Sequence, residues 1–581
     1  MYNYDQKVKF WATPPIHGCL APEVVFPGDM VFKIPNNLSY AEGAMVEPLA
    51  VGMQGVTKAK IKPGQIGLVM GCGPIGLVTS LAALAGGCSK VYIADILSEK
   101  LKMCDHYPDL IPVDLSKKDF GRELVAFEKE ANKKDSLFWN KIRPVPLTSE
   151  EVTDYIKKDS IRVLKESKPY LDSVDKAQNR FKLGNLLGYS YQNSVKNYRF
   201  GYDIPLNGIQ FNTVQGFTTK ADIFFRKRYD DFRRSFNANA SLQYGFSDKR
   251  LRATGFLSYK FNNVSRAFLS LAGGVTVNQF NASQPIRPFV NTISTLFFED
   301  NYAKFYERQF IQLGFSEELF NGFRLNSSLS FEKRKALFNT TNQTFINDDN
   351  DFYTSNNPLN ETAFGIAPFV NHNIAKLNIS ARINFAQNYL SYPDSKFNIG
   401  NDKYPTLVLG YEKGFSSTNS DYNFDQIKAR VSQSFTISDK GRFNYNIRAG
   451  QFFNADDIAF VDYKHFNGNQ THVSTAGNYT NVFNNLNYYT ASTNDNYLEA
   501  HVEHDFNGYI LGKIPLLNKL NFNLVVGAHN LATADNKPYQ EFTIGLDNIG
   551  WGKWRFLRFD YIRSYQNGYQ GDALVFGLKF F

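Results

Sequence analysis

From Asn496 onward apolar and polar residues alternate with a period of two, and that period belongs to β-strands with one apolar and one polar face. Leu498, Ala500, Val502, His504 and Phe506 make one set, and Glu499, His501, Glu503 and Asp505 the other. Phe522, Leu524, Val526 and Ala528 repeat the pattern. So do Phe542, Ile544 and Leu546 against Glu541, Thr543 and Asp547. In the strand expected over 555–565, Leu557, Phe559 and Tyr561 oppose Arg558 and Asp560. A last strand, 573–581, closes on Phe-Gly-Leu-Lys-Phe-Phe.

The same alternation starts near Leu183. Phe236, Ala238, Ala240, Leu242, Tyr244 and Phe246 face away from Ser235, Asn237, Asn239, Ser241 and Gln243. Leu251, Ala253, Gly255, Leu257 and Tyr259 oppose Arg252, Thr254, Ser258 and Lys260. Further strands are expected at 265–279, 304–320, 322–334, 376–387, 405–415, 425–438 and 442–453. Short turns (Ser247-Asp248-Lys249, Asn321-Gly322) are expected at one end. Long Asn-rich loops, 335–362 and 454–495, are expected at the other. About sixteen strands in this arrangement describe an antiparallel transmembrane β-barrel. A soluble sandwich or propeller fits less well, because no repeat period runs through the region. On this reading Arg558, Asp560, Glu499, Glu503 and Lys579 line a lumen or pair within its wall.

Composition agrees. The chain has 52 Phe and 33 Tyr, an aromatic load that a lipid face and its interfacial girdles use. Its mean hydropathy is −0.35, as a polar lumen requires. The net charge of +9 is spread over strand ends and loops rather than gathered in a stripe, so no nucleic-acid partner is expected. All four cysteines (Cys19, Cys72, Cys88, Cys104) and all six methionines lie at or before position 104. Four such cysteines suit a reducing compartment, and the cysteine-free remainder suits an exported one. The opening residues carry no apolar leader. The expectation is therefore an outer-membrane barrel behind a segment that does not export it.

Residues 1–112 read as a partial Rossmann-like α/β fragment. A strand over 65–70 runs into Gly71-Cys72-Gly73-Pro74-Ile75-Gly76, then an apolar helix and a second strand ending at Asp95. That is the dinucleotide fingerprint with its acidic residue about 20 positions on. Gly71 serves the tight turn, Gly73 lets the backbone approach a pyrophosphate, and Gly76 lets helix and strand pack. Pro74 and Ile75 open the helix whose N-terminus would face the phosphates. Asp95 would accept from a ribose 2′-hydroxyl and so favour NAD. Half a Rossmann unit, read as two parallel strands and an exposed helix face, buries too little to stand alone; useful NAD binding is not expected. Residues 113–182 form a helical linker. The 117–135 stretch has a helical period, and Thr148-x-x-Glu151 is a capping box opening a helix of about 20 residues towards Leu171.

Two resemblances follow. Phe10-Trp-Ala-Thr-Pro-Pro15 and Glu42-Gly-Ala-Met-Val-Glu-Pro-Leu-Ala-Val-Gly52, over roughly 8–112, resemble the sorbitol and xylitol branch of zinc-dependent medium-chain polyol dehydrogenases. The resemblance implies NAD and zinc as cofactors, with Glu47 in or beside the catalytic zinc site. The family's other zinc-site residues have no counterpart here, and His17, the only histidine before the fingerprint, is not in a His-Glu pair. Arg143-Pro-Val-Pro-Leu-Thr148 and Ile204-Pro-Leu-Asn-Gly-Ile-Gln-Phe-Asn-Thr-Val-Gln-Gly216, over roughly 115–581, resemble Gram-negative outer-membrane proteins that carry a domain-of-unknown-function label. These usually begin with a carboxypeptidase-regulatory-like domain. The aromatic terminus resembles the assembly signal of outer-membrane barrels. Ile514-Pro-Leu-Leu-Asn518 and Leu557-Arg-Phe-Asp-Tyr561 more distantly resemble the barrels of outer-membrane insertion factors. The resemblance implies outer-membrane lipid and the barrel-assembly machinery as partners.

Other motifs read as structural. His501-Val-Glu-His504 places its two imidazoles on opposite faces of a strand, so they do not share an ion. Asp456-Asp457 and Asp348-Asp349-Asn350-Asp351 lack the spacing of a calcium loop. The expectation is an outer-membrane barrel with a non-functional dehydrogenase fragment, joined near 104–115 by gene fusion or faulty assembly. The alternative is an NAD-dependent polyol dehydrogenase with a long C-terminal extension.

Overall fold

The structure, a computed structural model, describes residues 22–26, 28, 31–115, 123–126, 137–138, 141, 147–204, 208–229, 234–346, 352–392, 395–400, 402–474 and 479–578. The segments Phe10–Pro15 and Arg143–Pro146, the residues His17 and Cys19, the acidic run Asp348–Asp351 and the terminal Lys579–Phe581 lie outside them. The chain divides into two compact units, Met1–Gly121 and Arg122–Phe581.

In the first unit three parallel strands, β1 (Ile66–Met70), β2 (Lys90–Asp95) and β3 (Leu110–Asp114), lie in the order β1-β2-β3. The two longer helices of this unit among the described residues are α1 (Val46–Ala59) and α2 (Pro74–Ala85). Gly52 lets α1 lie close on α2, because a Cβ there would come within 2.9 Å of the Thr79 backbone nitrogen. The core is Cys72, Ile93, Leu101, Cys104 and Leu110, with Ala83, Cys88 and Val91 as a second cluster. The expectation of two strands is corrected here: there are three. The expected exposed helix face is present, with Val46, Val51 and Met53 of α1 each more than half exposed, and the sheet is bare as well, Ile66, Leu68 and Met70 each being about two-thirds exposed. Parallel sheets are ordinarily covered on both faces. The β1 edge, where a complete Rossmann sheet reverses its strand order, has no partner strand among the described residues.

The second unit begins with α3 (Ser149–Glu166). Both halves of its expected capping box form: Glu151 N–H donates to the Thr148 hydroxyl and Thr148 N–H donates to the Glu151 carboxylate. The expected single helix is in fact two. The chain turns extended at Ser167, and α4 (Lys168–Gln178) starts afresh with a proline in its first turn, where the missing N–H costs nothing. Of the 117–135 stretch only Glu123–Ala126 are described. They form a strand beside Tyr389–Ser391 rather than a helix.

A meander follows: β4 (Gly188–Asn193), β5 (Tyr198–Asp203), β6 (Gly216–Arg228), β7 (Ser235–Gly245), β8 (Arg250–Lys260) and β9 (Phe268–Gln279). It continues through β10 (Phe305–Phe320), β11 (Phe323–Ala336), β12 (His372–Asn384), β13 (Thr406–Phe415), β14 (Phe424–Thr436) and β15 (Arg442–Phe453). Then come β16 (Tyr497–Asp505), β17 (Asn523–Thr533), β18 (Tyr539–Trp551), β19 (Trp554–Gln566) and β20 (Tyr569–Leu578). Each strand pairs antiparallel with the next, from β4 to β20. The order is that of a barrel, yet no register joins β4 to β20 among the described residues. At six residues each, β4 and β5 are shorter than the roughly 9–11 residues a spanning strand needs. The expected count of about sixteen strands thus depends on how those two are counted.

The faces are inside out for a water-soluble sheet. Along β18, Tyr539, Glu541, Thr543 and Asp547 are buried while Phe542, Ile544 and Leu546 are exposed. Along β19, Arg558 and Asp560 are buried while Phe559 and Tyr561 are exposed. β11 does the same, with Ser330, Glu332 and Arg334 inside and Leu329 and Phe331 outside. Strand parity also corrects one sequence expectation. Three strands separate the Ser247–Lys249 turn from Asn321–Gly322, so the two turns lie at opposite ends of the sheet. Ser247–Lys249 shares its end with the three long connections, 280–304, 337–371 and 454–496.

If the apolar face meets lipid, a charge placed on it at mid-strand costs about 2–4 kcal/mol, and one near the strand end about 0–1 kcal/mol. Ile544→Arg is therefore expected to destabilise the folded protein in phospholipid vesicles far more than Gln540→Arg, read by denaturant unfolding. Equal, small effects would place that face in water.

Candidate functional site

The described residues of the long connection 454–496 do not extend into solvent, as its Asn-rich composition suggests. They fold onto the inner face of the sheet and are held there by buried charges. Asp462 pairs with Arg334 of β11 and, at 2.9 Å, with Lys376 of β12. Lys376 and Lys428 share Glu412, and Glu332 pairs with Arg334 and Arg308. Buried ions persist only when paired, so this chain of alternating charge ties the loop to neighbouring strands.

Further along, Lys464 lies 3.4 Å from Glu499, which also takes Arg448 at 3.1 Å and His501 at 2.9 Å. Tyr479 stacks under Arg558, the guanidinium carbon 3.5 Å from the ring centroid. Phe483, fully buried, packs on His501 with ring centroids 4.6 Å apart. The Glu541 carboxylate accepts from the backbone N–H groups of Asn484 and Asn485 and from the Tyr539 hydroxyl, each at 2.7 Å. Val473–Ser474 then pair in parallel with Phe576–Gly577 of β20, covering part of an edge that would otherwise be open.

One connection thus bonds strands from β11 to β20. At about 4.8 Å per strand these would stand roughly 40 Å apart in a flat sheet, which requires the sheet to wrap around the loop. The other two long connections lock onto it. Asn281 donates to the Phe466 carbonyl and to Asn467, the Tyr489 hydroxyl accepts from Lys304 N–H, and Asn301 bonds Thr354. Phe280, Tyr306, Phe369, Tyr422, Phe460 and Val461 form an apolar cluster at this end. Burial there holds the Lys304 ammonium down to about 8 and the His465 imidazole down to about 3, so His465 stays neutral.

The expected lumen residues Arg558, Asp560, Glu499 and Glu503 all face inward and are ion-paired. Arg558 joins Glu503 and Asp560, each at 2.8 Å. His501 also points inward, 2.8 Å from His529 through their Nδ1 atoms, while His504 faces the other way and bonds the Lys440 carbonyl.

In the first unit, Gly71 has φ +104, and a Cβ at Gly76 would stand 1.8 Å from the Gly71 carbonyl oxygen. Both positions therefore require glycine. Gly73 caps α2, Pro74 begins it, Ile75 follows, and the space beside Gly73 is open. The first N–H groups of a helix have no internal partner, so this turn presents donors. The Asp95 carboxylate already accepts from Cys72 N–H at 2.8 Å and Leu97 N–H at 2.9 Å, which holds its pKa below the ordinary 3.8. Glu47 lies exposed in the first turn of α1. Among the described residues no three His, Cys, Asp or Glu side chains converge on a metal position. Cys72 and Cys104 are buried thiols 3.8 Å apart.

The second unit is a large antiparallel sheet in barrel order whose inner face carries the protein's own loops. The chain belongs to a family described as "Family of unknown function (DUF5686) C-terminal domain", whose model matches residues 183–546. The chain is also similar to dehydrogenases. The chain is 58% identical over 114 residues to D-xylulose reductase of Morganella morganii, covering 20% of this chain and 33% of that one. It is 42% identical over 130 residues to sorbitol dehydrogenase of Arabidopsis thaliana, covering 22% and 36%. The chain thus spans about a third of the length of the curated relatives it matches. Among solved structures, it is similar to BamA from Haemophilus ducreyi lacking POTRA domains 1–3, with 11% identity, 80% and 85% coverage and a TM-score of 0.35. It is also similar to 2R,3R-butanediol dehydrogenase from Bacillus subtilis, with 41% identity, 15% and 25% coverage and a TM-score of 0.15.

Asp462 is the anchor of the internal loop, and losing one partner of a buried charge network typically costs about 3–5 kcal/mol. Asp462→Asn is expected to make 454–496 cleavable by protease in the folded, detergent-solubilised protein while the strands stay protected. Unchanged protection of the loop would show that the charge pairs do not hold it.

Proposed function

We propose that the chain is an outer-membrane β-barrel protein working in the envelope, in transport, assembly or anchoring, joined to a dehydrogenase fragment of separate origin. The observation that carries this reading is the sheet's reversed faces. A continuous apolar exterior over a charged interior is unfavourable in water and matches a strand wall set in lipid. No helix among the described residues is long and apolar enough to cross a membrane, so any crossing falls to strands. Outer-membrane lipid and the machinery that assembles barrels are the partners this reading implies. The domain division of 1–112, 113–182 and 183–581 belongs to the same proposal, as does the joining of two ancestries near 104–115.

For the first unit we infer a phosphate-binding turn at Gly71, Gly73, Pro74, Ile75 and Gly76, with Asp95 beside it, in a half-sheet whose β1 edge meets no further strand among the described residues. Glu47 stands as its one counterpart of a zinc-site residue. On this account the fragment does not act as a polyol dehydrogenase.

The test is the folding of the chain into detergent micelles. The expected product is β-rich by circular dichroism and migrates faster on gels unheated than boiled, because a closed wall of strand hydrogen bonds resists dodecyl sulfate. A chain that shows no heat-dependent mobility and no β signal contradicts the barrel.

A further inference from the structure

Strand register places an unusual row of side chains on the inner face. Glu318 of β10 is directly opposite Arg324 of β11, and Arg324 is opposite Arg382 of β12. Arg382 is opposite Val408 of β13, Val408 opposite Arg430 of β14, Arg430 opposite Arg448 of β15, and Arg448 opposite Glu499 of β16. Four arginines thus lie in one row across the wall, with carboxylates only at its two ends. Two of the contacts, Arg324 with Arg382 and Arg430 with Arg448, set like charges directly opposite each other, an arrangement that disfavours the sheet.

The end carboxylates are engaged: one outside the row, the other at its last arginine. Glu318 takes Lys396 at 2.6 Å, and Glu499 is shared among Lys464, Arg448 and His501. Arg448 spends its guanidinium on Glu499 and Asn481. Arg430 makes a hydrogen bond from Nε to Asn446 at 2.8 Å and no ion pair, and Arg382 has neither among the described residues. Arg324 donates to the Ser316 hydroxyl and the Arg266 carbonyl, again without a carboxylate.

Two cavities open on this row. One, of about 530 Å³, is lined by Arg430, Arg448, Lys428, Lys376 and Lys464, and its two carboxylates, Glu412 and Asp462, already hold lysine or arginine partners. Gly410, opposite Lys428, keeps that cavity open, since a Cβ there would meet the lysine chain at 2.9 Å. The second, of about 590 Å³, is lined by Lys260, Arg266, Arg324 and Lys396 with no carboxylate in its wall. Arg382 stands in the row between Arg324 of the second cavity and Arg430 of the first.

We propose that this arginine row is a binding site for a multivalent oxyanion of the phosphate class, bridging the two cavities. Guanidinium groups with free N–H pairs bind phosphate oxygens in two-point fashion, and an anion with several charges would relieve both opposed arginine pairs at once. The proposal goes beyond the membrane reading and does not depend on it, because the inner face is the same whatever the outer face meets.

The test titrates inorganic tripolyphosphate into the full-length folded protein at fixed ionic strength, by calorimetry, with chloride as the competing monovalent anion. Saturable binding is expected, weakened at least tenfold in Arg382→Gln/Arg430→Gln and unchanged in Lys333→Gln, which removes an exposed charge from the outer face of β11. The β signal in circular dichroism, compared with that of the unsubstituted chain, reports that each variant is folded. Should the double variant fail to fold, Arg382→Gln alone, at a position with no hydrogen-bond or ion-pair partner among the described residues, carries the comparison. Absence of saturable binding, or binding equally strong in the arginine variants, overturns the proposal; the latter would assign the anion elsewhere, such as the glycine turn of the first unit.

Discussion

The inner charge network is what the second unit depends on. A wall built of alternating residues must put its polar set somewhere, and here much of that set is covered by the protein's own loop. Glu332, Arg334, Lys376, Glu412, Glu499, Glu541, Arg558 and Asp560 would each be costly to bury alone. They are tolerated because each has an opposite charge or a hydrogen-bond donor within reach, much of it supplied by 454–496. Loop and wall therefore stabilise one another. The strands fix where the charges stand, and the loop neutralises them and fills the space between.

How far this was legible in the sequence depends on the element. The expected strand at 442–453 matches β15 at both ends, and 405–415 and 425–438 fall within two residues of β13 and β14. Period-two alternation marks burial directly, so strands with a complete face declare themselves. Residue faces were equally legible: Phe559 and Tyr561 outward, Arg558 and Asp560 inward. The internal loop was not. Asparagine, serine and threonine read as solvent-exposed turns, yet here their amides satisfy backbone groups inside the wall, as Asn467 and Asn494 do. A signal was present in Phe460, Phe466, Phe483, Tyr488 and Tyr489, an aromatic content that an exposed loop has no use for. The arginine row was invisible for a different reason. Its members are far apart in sequence, and only the register of seven strands brings them to one height.

The first unit shows what a fingerprint does and does not specify. Gly71, Gly73 and Gly76 adopt the geometry the motif requires, because those constraints are local to one turn. A dinucleotide crevice is not local. It needs a strand on the far side of β1, and that edge is unpaired among the described residues while Ile66, Leu68 and Met70 stand bare.

The central claim is that the sheet's apolar face meets lipid and its charged face does not. Single cysteines placed in turn at 541–547, in a chain whose native cysteines are replaced by serine, can carry spin labels whose collisions with oxygen and with a water-soluble relaxation agent are measured in bilayers. Labels at 542, 544 and 546 should collide with oxygen and be shielded from the polar agent, and those at 541, 543 and 545 should not. A profile without that period of two, with both parities open to the water-soluble agent, would contradict the account.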